Sequence, residues 1–106
     1  MNVSWLEPWM PIDSEDARRA FEGELHRELG AAPLLFGSPA VALAKRQDQD
    51  DVLFELQDGR VAEVHLTWRG RPESDPQWPR TAIYPSLDAW TEHQMKPLNV
   101  EFRSVG

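Results

Sequence analysis

Residues 51–68, DVLFELQDGRVAEVHLTW, decide the fold. Two runs rich in Val, Leu and aromatic residues alternate apolar with polar, and Asp58-Gly59 lies between them, a strong short-range signal for a β-hairpin. The polarity pattern also selects the turn. A two-residue loop would pair Phe54 with Glu63 and Val52 with His65, mixing apolar and charged side chains on one face. A three-residue loop, Gln57-Asp58-Gly59, sets Phe54 against Ala62 and Val52 against Val64, with Gly59 in the left-handed conformation that closes such loops with a bulge. A slip of one residue turns every side chain over, so the second register is expected. Its buried face is Val52, Phe54, Leu56, Ala62, Val64, Leu66 and Trp68. Its outward face carries Glu55, Glu63, His65 and Thr67.

Before the hairpin, residues 40–46 (AVALAKR) read as a strand with Val41 and Leu43 on one face, giving a three-stranded antiparallel meander. Upstream, Asp13 or Ser14 caps a helix with an acidic first turn (Glu15, Asp16) and an apolar stripe Ala17, Phe21, Leu25, Leu29. Glu15–Arg19 and Arg18–Glu22 are exposed pairs at helical spacing, and Gly30 ends the helix. Residues 1–12 hold Pro8 and Pro11 with Trp5 and Trp9, which predicts an extended N-terminal arm.

After the hairpin, residues 69–80 are a proline-rich loop, and Thr81–Tyr84 is a short fourth strand at an edge. Ser86 caps a second helix that should stop near Lys96, because Pro97 disfavours helical geometry at the residue before it. Residues 98–106 then form an irregular tail. The expected fold is α+β: a single domain over 1–106, its antiparallel sheet of three or four strands carrying one N-terminal and one C-terminal helix on the same face. Its core would draw on Phe21, Leu25, Val41, Leu43, Val52, Phe54, Leu56, Val64, Leu66, Trp68, Ile83, Leu87 and Trp90.

Composition narrows the function. A length of 106 residues suits one domain, and 41% hydrophobic with 27% charged residues places the chain among folded rather than disordered ones. The absence of cysteine removes disulfide scaffolds, thiolate zinc sites and cysteine nucleophiles together. No apolar run reaches a membrane span, and the N-terminus lacks the pattern of a signal peptide, so a cytoplasmic location without membrane contact is expected. A net charge of −7 argues against a nucleic-acid surface and suits a basic protein partner. The excess of Arg over Lys fits a high-GC bacterial genome.

No phosphate-binding glycine loop, paired-His zinc helix or Gly-x-Ser-x-Gly elbow is present, which leans against an enzyme and implies no cofactor. Three groups of residues remain. Glu55, Glu63 and His65 put two carboxylates beside an imidazole, which with Arg69 would suit a metal-assisted hydrolase or a ligand-binding face; mixed polar residues on a solvated sheet face are the plainer explanation. Asp48, Asp50 and Asp51 form an acidic knob for a basic partner, since the glycine and spacing of a calcium loop are missing. Trp5, Trp9 and Trp78 lie in proline-containing segments, where they would serve either as partner-binding anchors or as seals on a small core.

The string VHLTW (Val64–Trp68), followed by Asp75-Pro76-Gln77-Trp78-Pro79 and Tyr84-Pro85-Ser86-Leu87, resembles small bacterial proteins of unestablished activity over the C-terminal half. That resemblance implies a compact α+β domain and transfers no functional residue. In charge and size the chain is similar to immunity proteins, which neutralise toxins by binding them. The expected function is therefore a non-enzymatic protein-interaction domain, immunity-like or regulatory. It would be a monomer, or a homodimer joined through strand 40–46 or 81–84, where an open sheet edge invites pairing.

Overall fold

A computed structural model describes residues 4–29, 40–68 and 80–105. Trp78, Arg69, the Gly30 cap and the Pro-rich loop after Trp68 lie outside the described residues. The architecture is α+β. Five antiparallel strands, β1 (Trp9–Pro11), β2 (Val41–Arg46), β3 (Asp51–Glu55), β4 (Val61–His65) and β5 (Arg80–Tyr84), form one sheet in sequence order.

The central hairpin has the expected register, with Val52 opposite Val64 and Phe54 opposite Ala62. Leu56 and Arg60 close the loop through a 2.8 Å N–H···O bond, and Gly59 stands at φ +93°, where a side chain would be strained. Val52, Phe54, Leu56, Ala62, Val64 and Leu66 are all buried on one face. Helix α1 (Glu15–Leu29) covers that face with Ala17, Phe21 and Leu25. Ser14 caps it, its hydroxyl accepting the Ala17 N–H at 3.3 Å. Glu15 and Arg19 pair as expected at 3.4 Å. Glu22 does not pair with Arg18. It accepts the Ala42 N–H at 2.9 Å instead, where an irregularity in β2 between Ala42 and Ala44 interrupts the ladder.

Other expectations need correction. The sheet has five strands because Trp9–Pro11, read as part of an arm, pairs with β2 despite Pro11. At a sheet edge a proline forfeits no ladder bond that a partner strand would need. In β2 the bulge sends Ala42 to one core and Ala44 to the other, leaving Val41 exposed. Ile83 is also exposed, so neither residue belongs to the core.

The C-terminal helix departs most from expectation. It runs as α2 (Leu87–Trp90), a π-helical turn (Thr91–Met95) and α3 (Lys96–Val105), with no irregular tail from 98 onward. The Lys96 N–H reaches five residues back to the Thr91 carbonyl. This widened turn lies immediately before Pro97, which lacks an N–H and whose ring crowds the preceding turn of a regular helix. The helix continues through the proline on that account.

The helix also packs on the opposite face of the sheet from α1. Leu87, Trp90 and Met95 join Trp9, Ala44, Leu53 and Val61 in a second buried cluster, flanked by Trp5, Leu6, Leu43, Tyr84 and Leu98. Leu53 and Val61 make that face apolar at its centre, so it too must be covered. Trp9 meets Trp90 edge-on with ring centroids 5.0 Å apart, and the Asn99 side-chain amide donates to the Glu7 carbonyl at 2.6 Å. The last helix thus holds the first strand in place.

Candidate functional site

The sheet face under the C-terminal helix carries the polar residues that the sequence singles out. Register sets Trp9 opposite Arg46, Asp51 opposite His65 and Leu53 opposite Glu63. Period-two alternation turns Asp51, Glu63 and His65 to the same side.

Asp51 is almost buried. One carboxylate oxygen lies 2.6 Å from His65 Nδ1 and the other 3.7 Å from an Arg46 guanidinium nitrogen. Arg46 itself forms a two-pronged pair with Asp48, at 2.9 and 2.8 Å. This bond holds the Asp48 carboxyl below the usual aspartate range and offsets the desolvation of the guanidinium. Glu63 is half-buried and accepts the Trp90 indole N–H at 2.9 Å and the Gln94 amide at 3.3 Å. Burial pushes its carboxyl up, the Asp51 charge adds to this, and the two donors work against it.

Glu63 and His65 thus share one face of β4, and each meets Asp51. Glu55 is not part of this group. It is exposed and lines a separate open cleft with Val41, Leu56, Gln57 and Gly59. The expected outward face is open only at its ends, because the C-terminal helix covers its middle. His65 keeps 38% of its side chain exposed at the rim, oriented through Nδ1, so the pair with Asp51 could relay a proton there. Among the described residues no three His, Asp or Glu side chains are grouped to hold a metal ion.

The acidic knob is smaller than its sequence suggests. Asp51 is buried and Asp48, though exposed, is paired with Arg46, so Asp48 and Asp50 are the outward-facing members. The tryptophans are also redistributed. Trp9 is 2% exposed and belongs to the second core, so it offers no surface to a partner. Trp5 is half-buried against Trp90, centroids 6.0 Å apart.

Among the described residues the exposed tryptophan is Trp68, 43% exposed although its place in the alternation predicts a core position. The chain leaves β4 at His65, and Trp68 adopts φ +60°, which turns its ring onto the edge of Phe21 at 5.7 Å. A left-handed backbone at a bulky residue costs on the order of 1–2 kcal/mol and needs compensation. Glu28, 2% exposed in the last turn of α1, supplies it. Its carboxylate accepts the Thr67 N–H at 2.9 and 3.0 Å and the Trp68 N–H at 2.9 Å. Two signals mark Glu28 in the sequence. It stands three residues after Leu25, on the apolar stripe, and it is acidic in a last turn that favours basic residues.

No known protein family, no curated protein and no solved structure matches this chain.

Proposed function

We propose that this chain is a non-enzymatic protein-interaction domain of a bacterial cytoplasm, immunity-like or regulatory, that engages a basic partner through Trp68. The observation that carries this reading is the half-exposed indole on a strained backbone, fixed by a buried carboxylate. Strain concentrates at functional positions, and tryptophan is enriched at binding hot spots because it brings a large rigid surface at little entropic cost. The net charge of −7 adds long-range attraction for a basic partner. The groups best suited to catalysis are bound to one another: Glu63 to Trp90 and Gln94, and Asp51 to Arg46 and His65.

The test is affinity capture from the native cell with wild type, Trp68→Ala and Trp5→Ala. A specific basic partner retained by wild type and Trp5→Ala, lost by Trp68→Ala and bound more weakly as salt rises is the expected result. Turnover of a small molecule with no protein partner would overturn the reading.

A second reading, a ligand site at the His65 rim, is favoured by the 2.6 Å Asp51–His65 contact. Titrating divalent ions while following the melting temperature checks it, because a ligand held only by the folded state must raise Tm. A homodimer through the edge of β5 is a further proposal that light scattering decides. Strand 40–46 is excluded from that role, since β2 lies between β1 and β3.

A further inference from the structure

The two edges of the sheet are not equivalent. On β1, the Gln47 N–H donates to the Pro8 carbonyl at 2.8 Å and the Ile12 N–H to the Leu43 carbonyl at 3.0 Å. With Met10 opposite Lys45 between them, the antiparallel alternation turns the backbone groups of Pro8, Met10 and Ile12 towards β2. Those of Trp9 and Pro11 therefore point away from the sheet. The Trp9 N–H is already taken by the Leu6 carbonyl at 2.9 Å, and Pro11 has none. The outer side of β1 thus offers carbonyls and no donor, and a ladder with a further strand needs both.

The other edge is different. The Leu56 N–H donates to the Arg60 carbonyl and the Leu66 N–H to the Asp50 carbonyl. This turns Ala62 and Val64 towards β3, and Val61, Glu63 and His65 towards β5. Tyr84, Ala82 and Arg80 complete that ladder, so the N–H and carbonyl of Ile83 face outward. Among the described residues neither group meets a hydrogen-bonding partner. The Ile83 side chain is 38% exposed, and Ala82 beside it is exposed too.

We propose that β5 pairs with β5 of a second copy, antiparallel about a two-fold axis at Ile83, joining two five-stranded sheets into one closed dimer. This makes the β5 dimer suggested above specific and rests on it. In this register Ile83 faces its own counterpart, and the two exchange both backbone hydrogen bonds. Ala82 stands opposite Tyr84 of the second copy, a small residue against a large one on each side of the axis. The strand reads RTAIY, with one cation and no acid, so two chains of net charge −7 meet here without setting carboxylates against each other. Addition stops at two, because each copy uses its open edge and leaves only the closed β1 outside. The axis keeps both α1 helices on one face, so the two Trp68 indoles are presented on the same side.

One short strand makes a small interface, so the full chain is followed by sedimentation velocity from about 1 µM to about 1 mM. A monomer–dimer equilibrium with nothing larger is expected. Ile83→Pro removes an N–H that β4 does not use, and a sheet edge tolerates proline. The fold should persist by circular dichroism while the dimer weakens about tenfold or more. Ile83→Cys gives an independent reading. The chain contains no cysteine, so its disulfide can form only between copies, and Cα atoms about 5.5 Å apart in such a pair permit it. Under mild oxidation it should cross-link at least about tenfold faster than Val100→Cys, on the exposed side of α3.

A chain that stays monomeric at the highest concentration would remove the dimer itself. A dimer that survives Ile83→Pro, or equal cross-linking at positions 83 and 100, would move it to another surface and overturn this one. Growth beyond two copies would contradict the closed edge, and a basic protein seated on β5 in place of a second copy would also overturn the proposal. Capture through Trp68 needs one copy only, so its own test stands apart from these.

Discussion

At the residue scale, a side chain read from the alternation as a surface group is a half-buried structural one. Glu63 sits at an outward position of β4, yet its carboxylate is the acceptor for the Trp90 indole N–H. Trp90→Phe removes that donor along with part of the ring. A hydrogen bond to a charged group contributes about 1.5–3 kcal/mol, so the variant should lose about 2 kcal/mol or more, seen as a lower urea midpoint with an unchanged slope. The sequence held part of this information. Leu53 and Val61, both on the outward face, interrupt the polar pattern and mark a face that is covered. Nothing in the string points to Glu63 and Trp90 as partners, because they are 27 residues apart and the contact depends on which side the last helix takes.

At the scale of elements, the hairpin was legible to its register because a strand has a period of two and only one loop length keeps Val52 and Phe54 among apolar partners. Gly59 carries that choice. Its Cβ position is open space, so Gly59→Ala should cost only the backbone strain, about 1–2 kcal/mol in chemical denaturation, and Gly59→Asn less. Ser86 was equally legible as a cap, and its hydroxyl accepts the Ala89 N–H at 3.0 Å. Ser86→Ala should lower stability by about 1 kcal/mol and reduce helical circular dichroism. Pro97 misled because the bias of the residue before proline is a preference and not a prohibition: Lys96 is α-helical at φ −64°, ψ −48°, directly after the π-helical turn over Thr91–Met95. Trp9–Pro11 misled for a related reason. Its proline, Pro11, argues against a central strand, but β1 is an edge strand.

At the scale of the whole molecule, a sheet of five strands between two helical layers buries carboxyl groups on both faces, and these shape the response to pH. Glu28 and Glu63 both have raised folded pKa values. Their favourable contribution is complete below the ordinary glutamate pKa of about 4.3 and is lost as pH rises through the folded values. Asp48 has a lowered one, so its contribution is present above about 3.9 and is lost as pH falls through the folded value. Because its side chain is 37% exposed, solvent screens that effect. Stability should therefore be greatest on the acid side of neutrality and decline towards alkaline pH. Urea midpoints measured from pH 3 to 9 check this, and Glu63→Gln should flatten the alkaline decline.

The contact between the first strand and the last helix sets a schedule for synthesis. Trp9 emerges from the ribosome early, but Trp90 and Met95, which enclose it, are made some eighty residues later. Until then a large indole waits in water on a three-residue strand, the part of the newborn chain most open to a chaperone or to mispairing. A nascent chain arrested after Tyr84 should show it as the red-shifted fluorescence of a hydrated Trp9.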